Sequence, residues 1–386
     1  MTFPRFGVII LPNKITEKRG TFMTEMIKGP VPELPRLIKS AEIPAGHVQG
    51  IAVDDEHKYI YYSFTTVFVK ADLYGNVVGT VTGLTGHLGC ISYNSDDGKV
   101  YGSIEYKHDS IGKGIMERTG ITLADEDAFY IAIFDVDKID RVGMDAERDG
   151  VMKAVYLPEV VDDYSAKNED GTDHRFACSG IDGTGFGPIP GSPAGSPRML
   201  FVAYGVYGDN ARTDNDNQVI LMFDWRSFGD AAKPLSQAAP HHSGVRSAER
   251  FFLYTGNTTW GVQNLEYDSY LDAWIVAVYI GKKPQYKNPP MFLIDGAAAP
   301  VERDVPGLGI KGKMLSLKPL GGYDDANGLW YCTFPKGQTG VYSIGGGYYY
   351  FSYEKRTDRD GEKYFSSDVK LCRYTGEGDV LFEVVE

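Results

Sequence analysis

The chain has no pair of cysteines close enough for a CxxC motif; Cys90, Cys178, Cys332 and Cys372 stand far apart. Three of them lie in apolar, strand-like runs, where a buried free thiol is the expected state. No apolar run reaches the roughly 18–20 residues that a membrane-spanning helix needs. The stretch from Phe6 to Pro12 is too short for a signal-peptide core, and no small-residue cleavage site follows it. As written the sequence reads as cytoplasmic, or as secreted or periplasmic if a leader was removed. Positive charge is also in deficit: 39 Lys and Arg against 52 Asp and Glu leave a net charge of −13. A surface of that sign repels nucleic acid and anionic lipid, so the expected partner is a small molecule rather than either of these.

Several catalytic signatures are missing. There is no GxSxG elbow, no Walker A loop and no HExxH helix. Gly183-Thr184-Gly185-Phe186-Gly187 lacks the spacing of a dinucleotide loop. The runs Asp214-Asn215-Asp216-Asn217 and Asp358-Arg359-Asp360-Gly361 alternate carboxylates as calcium loops do, but neither completes the twelve-residue pattern, and each reads first as a polar turn. His241-His242 has no zinc spacing.

Long runs of helix-forming residues are scarce as well, whereas 26 Tyr, 19 Phe and 46 Gly point to strands joined by tight turns. The strands come in a repeat. Residues 46–63, GHVQGIAVDDEHKYIYYS, align without a gap on residues 86–103, GHLGCISYNSDDGKVYGS. Each copy is a strand, a turn and a second strand of alternating polarity. VKADLYGNVVGTV, from Val69, has a counterpart near the C-terminus in VKLCRYTGEGDVLFEV, from Val369. Further copies open at Cys178–Asp182, at Val262–Tyr267, and either at Leu320–Gly322 or at Gly340–Ser343.

Four-strand units repeated in this way resemble the blades of the β-propellers that bind ligands over a central channel. The likeness is architectural and runs from Arg36 onward. It implies an all-β chain: an N-terminal arm over 1–35, then one propeller of five blades, four antiparallel strands each, over 36–386. Residues 145–175 fit no blade readily and leave a sixth open. The strand near Arg36–Ile43 is expected to close the ring on the last blade, leaving no open edge.

In that architecture the start of each inner strand and the loop between strands two and three share one face. The longest such segments are Tyr106–Asp127, Gly205–Gln218, Ile280–Pro290 and Lys355–Asp368. His47 and His87, at equivalent positions of adjacent copies, are candidates for acid–base chemistry or for holding one divalent metal ion, calcium or a transition metal. Glu105 ends a strand beneath the longest loop and is the acidic candidate. Gln49, Tyr106, Lys107, Tyr204, Tyr207, Gln263, Asn264, Tyr279, Tyr353 and Arg356 are the expected substrate contacts, since rim tyrosines and basic residues suit a hydroxylated anion. The leading expectation is a hydrolase or lyase acting on a small polar, sugar-like substrate. A non-catalytic binding propeller and a metal-dependent lactonase or esterase are the alternatives.

Overall fold

The computed structural model describes residues 32–120, 126–204, 208–256 and 258–386. Most of the arm expected over 1–35, and Tyr207, lie outside the described residues.

Five antiparallel sheets stand in a ring, so the chain is a five-bladed β-propeller. The first blade runs outward through Val48–Val53, Tyr59–Phe64, Val67–Asp72 and Val77–Thr82. The second is His87–Asn94, Lys99–Tyr106, Ala128–Phe134 and Met152–Tyr156. The third is Ile181–Gly187, Met199–Tyr204, Asn217–Phe223 and Glu249–Tyr254. The fourth has three regular strands, Thr259–Asp268, Ala273–Tyr279 and Met291–Asp295. Along its outer edge Asp295 N donates to Ser316 O and Lys318 N to Leu293 O, both at 2.8 Å, so an irregular segment stands in for the missing strand.

The fifth blade begins at Val341–Gly345 and continues through Tyr348–Arg359 and Glu362–Tyr374. Of the two openings expected for it, the second is the one used. Gly322–Asp324 instead starts a separate hairpin with Leu329–Tyr331. Residues 145–175 supply no sixth blade. They hold a short strand at Met144–Asp145 beside the first blade, the outer strand of the second, and the helix Pro158–Ser165.

Ring closure uses both ends of the described chain. Leu37–Lys39 pairs with Asp368–Lys370, and Phe382–Val384 pairs with Cys372–Tyr374, so two short segments lie end to end as the outermost strand of the last blade. Leu371 joins them: its N–H donates to Arg36 O and its carbonyl accepts from Val385 N. The edge that would invite a foreign strand is thereby covered.

Five apolar clusters hold the ring, one between each pair of neighbouring blades. Phe68 stacks on Phe134 with centroids 4.3 Å apart between blades one and two, and Phe201 meets Trp274 at 4.5 Å between blades three and four. Period-two alternation places apolar side chains on both faces of each sheet, which suits a blade buried from both sides. All four cysteines are free and buried. Among the described residues no helix is long and apolar enough to cross a membrane.

At the axis the inner strands nearly touch. Gly340, at φ +137°, lies so close to Ile51 that a Cβ there would sit 3.0 Å from the Ile51 nitrogen. Beneath the mouth the channel is plugged by Asn264. Its amide donates to Gln49 O at 2.9 Å and Gln338 O at 3.0 Å, and its carbonyl accepts from Cys90 Sγ at 3.3 Å. One side chain of the fourth blade thus bonds to three others.

Two substitutions test these closures. Ile38 is fully buried under the last blade, and Ile38→Ala is expected to cost about 2–4 kcal/mol as a buried large-to-small change. Asn264→Leu strands two buried carbonyls and is expected to cost roughly 2–6 kcal/mol, at ~1–3 kcal/mol for each. Urea unfolding midpoints at constant slope check both.

Candidate functional site

Each of the first four inner strands carries a register break near its start. The breaks leave out Gln49, then Gly89 with Cys90, then Asp182, then Gln263. A bulged residue escapes the strict alternation of a strand and can be re-aimed. Gln49, Asp182 and Gln263 all turn into one cavity of about 750 Å³ at the channel mouth. The bulge also corrects a simple alternation argument, in which only one of Gln263 and Asn264 faces the channel. Gln263 lines the cavity and Asn264 plugs the axis below it.

One wall of the cavity is a buried charge network. His87 Nδ1 lies 3.2 Å from Glu105 Oε1, and Lys107 Nζ lies 2.6 Å from the same oxygen. Lys107 also reaches Asp109 at 3.2 Å and donates to Ser179 O at 2.8 Å. Glu105 Oε2 accepts from Ile181 N at 3.0 Å. The third blade approaches this closely because residue 180 is glycine: at φ +131° a Cβ would fall 2.4 Å from Glu105 Oε2. Asp182 completes the wall. Its Oδ2 accepts from Gln263 Nε2 at 3.2 Å, while Oδ1 is buried without a hydrogen bond, 3.8 Å from His87 Nδ1.

The charges follow from these neighbours. Burial opposes charge on His87, but the Glu105 hydrogen bond and the nearby Asp182 and Glu105 carboxylates outweigh it and hold its pKa above the ordinary value. Burial likewise works against charged Glu105, and Lys107 and His87 reverse this to hold the carboxyl low. Asp182, with burial dominant and His87 only a partial offset, is pushed up.

Across the cavity, His47 Nδ1 stands 3.5 Å from Glu354 Oε1. Burial pushes Glu354 up to about 7 despite the hydrogen bond it accepts from Val48 N. Burial, with repulsion from His87, pushes His47 down to about 4. Solvent reaches the imidazole more easily than the carboxyl, at 42% against 26% side-chain exposure, yet desolvation is the leading cause of both shifts. The two histidines are sequence equivalents and chemical opposites.

No protein-family model matches this chain, and no curated protein does. Among solved structures the propeller of Dos1 is similar to it. The match has 9% identity and a TM-score of 0.30, and covers 83% of this chain and 78% of that one. A likeness that remote transfers neither ligand nor activity.

Of the residues expected at the site, His47, Gln49, His87, Glu105, Lys107, Gln263 and Tyr279 line the cavity together. Asn264 lies below the cavity, and Tyr106, Tyr204, Tyr353 and Arg356 lie elsewhere. Tyr106 is buried and donates to Gln237 Oε1 at 2.9 Å; Tyr204 is buried and donates to Asp163. Tyr353 packs under the ammonium groups of Lys336 and Lys370, and Arg356 is exposed on a hairpin. That hairpin corrects the loop expected over Lys355–Asp368. Its strands stay paired out to Arg359 and Glu362, and Asp360-Gly361, both at positive φ, forms the tight turn.

The other acidic run holds an ammonium group. Fully buried Lys283 donates from Nζ to Asn215 Oδ1 at 2.7 Å, to Asp216 Oδ1 at 2.9 Å and to Arg212 O. This ties the rim loops of blades three and four together. Among the described residues no group of three or more His, Cys, Asp or Glu is placed to hold a metal ion. His47 and His87 each face a carboxylate of their own rather than a shared position, and the Lys107 ammonium on Glu105 opposes a dication there.

Asp182, Glu354, Trp260 and Lys336 also line the cavity without having been singled out from sequence. Aligning Ile181-Asp182-Gly183 with Val48-Gln49-Gly50 would have marked Asp182. Glu354 follows Tyr353 in a run noted only for its aromatic and basic residues.

The opposed shifts are measurable. In a proton NMR titration the His47 ring is expected to titrate near 4 and the His87 ring above 6.5. For His87 the folded state holds its proton more tightly than the unfolded chain. Its stabilisation is therefore complete below about 6.5 and fades as pH rises through the folded value. Parallel titration of both rings near 6.5 would contradict this description of the cavity.

Proposed function

We propose that the channel mouth is the active site of a hydrolase or lyase that acts on a small hydroxylated anion. The observation that carries this reading is Glu354, a carboxyl pushed up to about 7 and paired with His47 on one wall of a cavity whose other wall carries His87 and Lys107. A group titrating near the working pH is suited both to donate and to take a proton. Groups with displaced pKa values gathered in one cleft support a functional site over a purely structural one.

The charge balance favours an anion. Glu105 and Asp109 offset the charges of His87 and Lys107, burial disfavours ionisation of Asp182 and Glu354, and the ammonium groups of Lys282 and Lys336 leave the lining net positive. A substrate carboxylate or phosphate meets these cations, and Gln49 and Gln263 offer amides to its hydroxyls. In the hydrolase version neutral Glu354 protonates the leaving oxygen as its bond breaks and water adds to the substrate. In the lyase version ionised Glu354 removes the proton beside the substrate carboxylate, and the substituent on the next carbon departs as a double bond forms.

The second reading is a binding protein without chemistry. It is favoured by the saturation of Glu105, whose oxygens already face His87, Lys107 and the Ile181 N–H. On that reading the network is a lock that shapes the cavity.

Glu354→Gln separates the two. On a panel of carboxylated glycosides, lactones and esters, the wild type is expected to turn over at least one member, and E354Q to lose about 100-fold or more of that rate. Its pH profile loses the arm near 7, while the urea midpoint shows the fold intact. Undiminished turnover in E354Q would remove Glu354 from the chemistry. Panel members that bind and stay unchanged would favour the binding protein.

A further inference from the structure

Trp260 stands at the cavity wall in a conformation that a bulky side chain rarely adopts. Its φ is +61°, in the left-handed region, and 47% of the residue is exposed. Such strain persists only where the surroundings enforce it, and it gathers at ligand-binding sites. Here the enforcement is visible. The Trp260 carbonyl accepts from Ser179 Oγ at 3.4 Å and from Gln263 Nε2 at 3.3 Å, so side chains from two blades hold it. The register of the inner strand also breaks between Thr259 and Val262, on either side of the turn.

Two more exposed apolar side chains share the wall. Ile111 comes from the helix Ser110–Thr119 above the second blade and is 39% exposed; Ile280 opens the rim loop of the fourth and is 54% exposed. Thr259 Oγ1 donates to Ile280 O at 2.9 Å, which pins that loop beside the Trp260 turn. The cavity is therefore two-sided in chemistry. His87, Asp182 and Gln263 are its more enclosed polar lining, and Trp260, Ile111 and Ile280 its exposed apolar lining.

We propose that the mouth of this propeller takes an amphipathic ligand, with an anionic, hydroxylated head against the polar wall and a flat apolar ring stacked on Trp260. This rests on the reading of the cavity as an anion site and adds the class of substituent that the anion carries. A flat indole supplies contact area and a face for stacking at little conformational cost, and Ile111 and Ile280 narrow the choice toward an apolar group. Trp260 acts as a specificity-determining residue and takes no part in proton transfer.

Isothermal titration with two probes tests the assignment: phenyl β-D-glucuronide, which carries head and ring, and D-glucuronate, which carries the head alone. The wild type is expected to bind the phenyl compound at least about tenfold more tightly, the return of one good aromatic contact before any gain from its buried area. Trp260→Gly relaxes the positive φ, so its urea midpoint should be at least that of the wild type. That variant is expected to bind both probes alike, at the affinity of glucuronate for the wild type. Trp260→Asn, which tolerates the left-handed region, serves as a second variant, and Trp260→Phe should keep most of the preference. Equal affinity of the two probes for the wild type, or an undiminished preference in Trp260→Gly and Trp260→Asn, would overturn the stacking role and leave the anion site standing. Binding of neither probe to the wild type would overturn both.

Discussion

Everything at the channel mouth of this protein depends on how five inner strands are allowed to meet. A narrow propeller axis brings backbone carbonyls together out of reach of solvent, and each unpaired one costs free energy. Asn264 answers this with one side chain, donating to carbonyls of blades one and five and accepting from the Cys90 thiol of blade two. It sits immediately after Gln263, the bulged residue of its strand. The same local irregularity that supplies the plug therefore also raises a polar side chain into the cavity above it. Stability and site share a few residues, and a change that disturbs one disturbs the other.

The cavity's electrostatics arise from unequal partners given to similar groups. His87 lies deep, beside carboxylates, and is held charged. His47, beside a carboxyl that burial raises to about 7, is held neutral by its own desolvation and by repulsion from His87. A duplicated motif has been driven into two protonation states by its surroundings. The Lys283 lock beneath the rim is different in kind. Its ammonium is completely enclosed by oxygens from the neighbouring loop, so it gives that part of the mouth rigidity and no reactive charge.

What could be read along the chain was whatever repeats locally. The match of GHVQGIAV with GHLGCISY is a matter of period-two alternation and turn chemistry, both set within a few residues, and it leads to blades, to the shared face, and to His47 and His87. Gln49, Lys107 and Gln263 follow from their places relative to that repeat. Tyr106 and Tyr204 did not, because a tyrosine at a strand end is equally fit for a rim or a core. Only the irregular segment before Glu249–Tyr254 and the Pro158–Ser165 helix decide that these two point inward, to Gln237 and Asp163.

The sequence by itself determined the blade as a unit, the number of copies to within one, and the face on which their loops gather, because each is a property of short segments. Tertiary structure alone decided which residues meet across the mouth. Glu354 is some three hundred residues from His47 and acquires its displaced pKa only when ring closure brings the last blade beside the first. Asp182 becomes part of the wall through a one-residue bulge, and Trp260 is held in its strained turn by Ser179 of the neighbouring blade. Burial, charge coupling and strain depend on distances between segments remote in the chain, and those distances exist only once the ring has closed.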